Sequence, residues 1–169
     1  MSKNGITLYN VIFPVWFLLL FPLSWLIILP ANLLIDSLVL ILSLKTFKQP
    51  IKAAWKRAIL PVWAFGFLAD ITGAGLLLLT QVVDSDSAVF RWLYENVFNY
   101  VAFNPFRSIW SVLVVLVAIA VSGILIYFLN YKVSFKKLEI ENNQKKKLAV
   151  ALAVFTAPWV MLIPSSWIY

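Results

Sequence analysis

The chain has 169 residues, 63% of them hydrophobic and only 12% charged, with a net charge of +7 and a mean hydropathy of +0.92. That balance lies outside the soluble globular range and points to an all-α, polytopic membrane helix bundle. Cys and His are absent, which excludes disulfides, thiolate nucleophiles, Cys/His zinc or iron–sulfur sites and imidazole acid–base chemistry.

Residues 1–10 are largely polar, and an unbroken apolar run of 34 residues extends from 11 to 44. As a single helix it would measure about 51 Å, too long for one crossing of a hydrocarbon core of about 30 Å. Pro30-Ala31-Asn32 is the turn-like break in it. The pattern therefore predicts a tight hairpin of two spans, about 10–29 and 32–47, either fully crossing or re-entrant. Lys45 and Lys48 extend the short second span by snorkelling. The run is too long for the apolar region of a signal peptide and lacks an Ala-x-Ala-like cleavage site.

The stretch 49–59, QPIKAAWKRAI, reads as a basic amphipathic helix with Pro50 in its first turn. Its Ile51, Trp55 and Ala58 are expected to face lipid, while Lys48, Lys52, Lys56 and Arg57 reach water and anionic headgroups.

The third predicted span, 58–83, carries a single ionisable residue, Asp70. Trp63, Gly66, Asp70, Gly73, Leu77 and Thr80 recur at helical spacing. Such a stripe of small and polar groups meets other helices, because lipid would leave its polar atoms unpaired.

Residues 84–107 mix Phe90, Trp92, Tyr94, Phe98, Tyr100, Phe103 and Phe106 with Arg91, Glu95, Asn96 and Asn99. That mixture predicts a helix lying in the interface, a connector or a lid, with Arg91 and Glu95 spaced to pair. A fourth span is predicted at about 108–130, with Ser111, Ala118 and Ser122 on one stripe. A fifth is predicted at about 148–167, punctuated by Pro158 and Pro164. Two Pro-Val-Trp triplets, at 14–16 and 61–63, have no further similarity around them.

Charge orients these elements. Five basic residues and no acid lie in 45–57, six Lys and two Glu lie in 131–147, and Lys3 brings the basic count to 12 of 14. The positive-inside rule makes 48–57 and 131–147 cytoplasmic loops and 84–107 external. The amino terminus is then cytoplasmic and the carboxyl terminus external, in a multi-pass protein of the cell membrane. The same rule explains the basic charge without nucleic acid.

Two acids interrupt the apolar runs, Asp36 and Asp70. An ionised carboxylate in hydrocarbon costs at least about 3 kcal/mol, so each must be paired, hydrated or protonated. Asn32 precedes Asp36 by one helical turn, and Gly66 and Gly73 flank Asp70. These five residues form the candidate intramembrane polar site.

Asn32-Leu-Leu-Ile-Asp36 and Phe67-Leu-Ala-Asp70-Ile are similar to fragments of the lipoprotein signal peptidase pattern, in the same order, over about ten residues. That resemblance implies an intramembrane aspartyl enzyme. The chain departs from the pattern at Ser37, where the family has Arg. It also has no acid between Asp36 and Asp70, where the family has a further catalytic Asp.

Three functions are open at this level. One is a non-enzymatic accessory, assembly or regulatory subunit that contacts another membrane protein or a second copy through its small-residue stripes. The second is a small proton- or cation-coupled transporter or channel using Asp70, with Asp36 and Asn32. The third is the aspartyl enzyme. None of them calls for a cofactor or a bound metal.

Overall fold

The computed structural model describes residues 14–82 and 87–167. Among them the regular structure is entirely helical. Four helices build the bundle: α1 (Trp25–Thr46), α2 (Ile51–Val82), α5 (Ile109–Leu129) and α6 (Asn142–Phe155), with the short α3 (Ala88–Leu93) and α4 (Asn99–Phe103) between α2 and α5. Neighbours in the ring are α1–α2, α2–α5, α5–α6 and α6–α1. Three stretches are long and apolar enough to cross a membrane, Pro22–Thr46, Ile51–Val82 and Ile109–Ser134.

The polarity of the bundle is inverted relative to a soluble protein. Leu26, Leu34, Leu38, Leu60, Leu68 and Val117 are each more than half exposed, whereas Asp36, Asp70, Ser111, Ser122 and Asn130 are buried. Apolar exteriors around buried polar groups suit a hydrocarbon solvent, in which only the interior offers hydrogen-bond partners.

The hairpin expected at Pro30-Ala31-Asn32 does not form. Helix α1 runs through Pro30 without a turn. Proline there removes one backbone donor in the second turn, which takes from the Leu26 carbonyl its intrahelical partner without ending the helix. The Trp63 indole donates to the Leu29 carbonyl at 2.8 Å, just beside the proline. The chain breaks earlier, at Phe21, whose φ −94°, ψ 115° is the extended conformation favoured before proline. Residues Val15–Leu20 and Pro22–Ser24 are short 3₁₀ turns and residues 25–29 already belong to α1, so the described part of the first predicted span is not a crossing helix of its own. Its first residues, 10–13, lie outside the described residues.

The turn from α1 to α2 follows from local chemistry. Gln49 N–H bonds the Leu44 carbonyl and Lys48 N–H bonds the Lys45 carbonyl, with Lys48 at φ 55°. This is a Schellman motif, with Lys48 at the position that usually carries glycine. Pro50 then precedes the first turn of α2, and the predicted amphipathic helix is continuous with the span that follows. Ala54 and Ala58 are buried in a cluster with Leu40, Leu44, Val62, Phe135, Leu148 and Leu152, and Ile51 and Trp55 pack against it. The face expected to meet lipid thus packs against the chain's own loop and α6, while Lys48, Lys52, Lys56 and Arg57 are exposed.

The two basic segments lie at one end of the bundle. Gln49 Nε2 donates to Gln144 Oε1 at 3.0 Å, and Arg57 pairs with Glu139 at 3.1 Å. The second segment is less of a loop than its composition implies. A π-helical turn, Asn130–Ser134, continues α5, and α6 begins at Asn142, taking Lys145–Lys147 into its first two turns. Buried Asn130 there bonds the Ile126 carbonyl and accepts from Ser134 Oγ.

The opposite end is a cap of short pieces. Helices α3 and α4 flank a π-helical turn, Tyr94–Phe98. Ser87 caps α3 by accepting from Phe90 N–H. Arg91 and Glu95 do not pair, and Arg57–Glu139 is the one ion pair among the described residues. Ser165 Oγ accepts from Val15 N–H and donates to the Ala102 carbonyl. The Trp16 indole donates to the Val101 carbonyl. These bonds tie residues 14–20, 101–102 and 165 together.

Candidate functional site: an acidic cavity between α1, α2 and the end of α6

The site grows out of the antiparallel register of α1 and α2. Asn32 Nδ2 on α1 donates to Asp70 Oδ2 on α2 at 2.8 Å. One turn further along α1 is Asp36, and one turn back along α2 is Gly66. A Cβ added to Gly66 would stand 3.2 Å from Asp36 Oδ2. The same step of four brings up Leu40 and Val62, then Leu44 and Ala58, all in one buried cluster. Asp36 and Asp70 therefore differ in depth by one turn, about 6 Å.

Both carboxyls are buried, Asp36 at 3% and Asp70 at 5% exposure. Asp36 Oδ2 and Asp70 Oδ1 have no hydrogen-bond partner, and they are two of three such atoms among the described residues. The third, Trp55 Nε1, sits among the apolar side chains at the basic end.

Both acids and Asn32 line a cavity of about 390 Å³, whose walls come from α1, α2, residues 15–19 and residues 155–160. Among the described residues none that lines it is basic. The wall at 155–160 exists because α6 stops. Its last residue is Phe155, Thr156 closes the helix, and Pro158 follows at φ −75°, ψ 64° before the 3₁₀ turn Trp159–Leu162. The Thr156 hydroxyl, which donates to the Leu152 carbonyl at 2.9 Å, stands beside the Asp36 carboxyl.

Of the five candidate polar residues, four converge here: Asn32, Asp36, Gly66 and Asp70. Gly73 belongs elsewhere. An added Cβ there would collide with Ser122 Oγ and come within 3.0 Å of Met161 Cε, so this glycine lets α2 and α5 approach. Ser122 completes that contact by donating to the Ala69 carbonyl at 2.9 Å. Lys48, Lys52, Lys56 and Arg57 are at the basic end, apart from the cavity. Reading the sequence missed Phe155, Thr156 and Trp159. The signal was Pro158, which ends a helix that the apolar pattern alone continues to residue 167.

A catalytic aspartyl dyad shares a proton between its carboxyls. Asp36 and Asp70 make no hydrogen bond to each other: the one hydrogen bond to Asp70 comes from Asn32. Among the described residues no group of three His, Cys, Asp or Glu side chains is placed to hold a metal ion. A second cavity, about 610 Å³, lies between α2, α5 and residues 92–98 and is lined by hydrophobic residues alone.

What the described residues form is an all-helical bundle with three helices able to span a membrane and an acidic cavity beside two of them, α1 and α2. No protein-family model, curated protein or solved structure matches it.

Proposed function

We propose that this chain is a multi-pass membrane protein that moves protons or another small cation through the acidic site between α1 and α2. One observation carries the reading: two buried carboxyls, each with an unpartnered oxygen, line one cavity to which the described residues bring no basic side chain. The missing positive charge must come from a bound proton or cation, since isolated carboxylates do not persist in a low-dielectric interior.

In this reading α1, α2 and α5 cross the bilayer, and α6 with its broken continuation supplies a fourth crossing. The basic end is cytoplasmic by the positive-inside rule, with Lys48, Lys52, Lys56 and Arg57 against anionic headgroups. The cap of α3, α4 and residues 14–20 is external, as is the carboxyl end. The amino-terminal 13 residues lie outside the described set. The count is four, against the five of the sequence pattern, because α1 passes through Pro30.

A role as an accessory subunit has less in its favour. Gly66, Gly73, Ala118 and Ser122, the small residues that suggest an intermolecular contact, are buried against the chain's own helices. The test is cation flux in proteoliposomes. Asp70→Asn is expected to abolish it and Asp36→Ala to weaken it, whereas wild-type flux from Asp70→Asn removes this site from the mechanism.

A further inference from the structure

The cavity has room for more than a proton. Its volume of about 390 Å³ exceeds by more than ten times the roughly 30 Å³ share of one liquid water. It falls within the range of pockets that hold small organic molecules. Apart from the carboxyls, Asn32 and Thr156, its walls are mostly aliphatic or aromatic. Two carboxyls, each with one oxygen that no protein group satisfies, Asp36 Oδ2 and Asp70 Oδ1, therefore border an apolar enclosure. Those acceptors call for a donor that is also positively charged. A bare metal ion would need several more oxygen ligands than two carboxyls and one amide supply.

The mouth indicates where such a ligand comes from. Ile27 at 77%, Phe155 at 68%, Trp159 at 48% and Ile35 at 47% are exposed although they line the cavity. They lie on α1 and on the break after α6, so the opening faces sideways, through the apolar flank of the bundle. A ligand dissolved in the bilayer can enter between these residues without crossing water. Phe155 and Trp159 also offer ring faces to a cation on its way in.

We propose that the cavity binds an organic ammonium ion with an apolar body, its nitrogen held by Asp36 and Asp70 and its hydrocarbon part against residues 155–160. This inference rests on the cation-transport reading and names the chemical class of its cargo. The carboxyls set the charge of the ligand, and the walls set its hydrophobicity.

The test uses the full-length protein in nanodiscs of phosphatidylglycerol, with radiolabelled benzylammonium, whose nitrogen carries the donor hydrogens, as the probe. Saturable binding at about one ion per chain is expected. The uncharged carbon isostere ethylbenzene should compete at least about tenfold less well, the scale of one charge-assisted contact. Asp36→Asn and Asp70→Asn should each weaken binding by about tenfold or more. The isostere comparison needs no variant, so it stands even where a substituted chain fails to fold. Repeating the measurement with phosphatidylethanolamine in the disc identifies the source. Loss of the signal assigns the site to a lipid amine, and an unchanged signal assigns it to a free one. No saturable binding by the wild-type chain, or equal competition by the isostere, overturns the proposal. Flux that depends on Asp70 without ammonium binding overturns this inference alone. Binding without any flux overturns transport and leaves the ligand class standing.

Discussion

Asn32 on α1 donates its amide to one oxygen of Asp70 on α2 at 2.8 Å, while the other oxygen of the same buried carboxyl has no partner. Removing the amide leaves the whole carboxyl unsatisfied in an apolar cavity. Asn32→Leu is therefore expected to lower the unfolding free energy by about 1–3 kcal/mol, read from denaturant titration in mixed micelles. Unchanged stability would mean that the bond contributes nothing to joining α1 and α2.

Gly73 and Gly75 make opposite predictions two residues apart. A Cβ at Gly73 meets Ser122 Oγ, Met161 and the Ala118 carbonyl, whereas at Gly75 it meets nothing within 4 Å. Gly73→Ala is expected to destabilise by about 1–3 kcal/mol through overpacking, with partial recovery when Ser122→Ala is added. Gly75→Ala should be neutral, or stabilising by up to about 1 kcal/mol through helix propensity. The paired melting curves check both, and equal effects at the two sites contradict the α2–α5 packing.

Lys48 holds a left-handed conformation, φ 55°, at the end of α1. Glycine adopts that conformation without steric cost. Lys48→Gly should therefore hold or raise stability by up to about 1 kcal/mol, and β-branched Lys48→Val should lower it by a similar amount. The same titration decides, and a destabilised glycine variant contradicts the Schellman turn.

The two basic segments meet at one end of the bundle through Gln49 and Gln144. The chain has no cysteine of its own, so Gln49→Cys with Gln144→Cys gives a clean background for a short bis-maleimide. Crosslinking within one chain is expected, as is labelling of both positions from the cytoplasmic side only. Labelling from opposite sides contradicts the bundle and its orientation together.

The site was more legible in the sequence than the path of the chain. Asn32 and Asp36 are one turn apart, as are Gly66 and Asp70, and in apolar surroundings those spacings mark two polar stripes that have to face inward. The charge map likewise brought 45–57 and 131–147 to one end without any knowledge of Gln49 and Gln144. Proline was the ambiguous sign. Pro30 is carried inside α1, with Trp63 bonding the preceding carbonyl, while Pro22 and Pro158 coincide with real breaks. Hydropathy is blind to that difference, because it does not record the backbone conformation of the residue before each proline. The cavity wall at 155–160 was hidden for the same reason, as an apolar 3₁₀ turn has the composition of an apolar helix.

The most direct test of the central claim is proton uptake by proteoliposomes under an imposed potassium diffusion potential. Wild-type chain is compared with the Asp36→Asn/Asp70→Asn double variant, matched for helix content and elution volume. The wild type is expected to carry protons and the double variant to fall to the level of protein-free vesicles. Uptake by the double variant equal to that of the wild type would contradict the account.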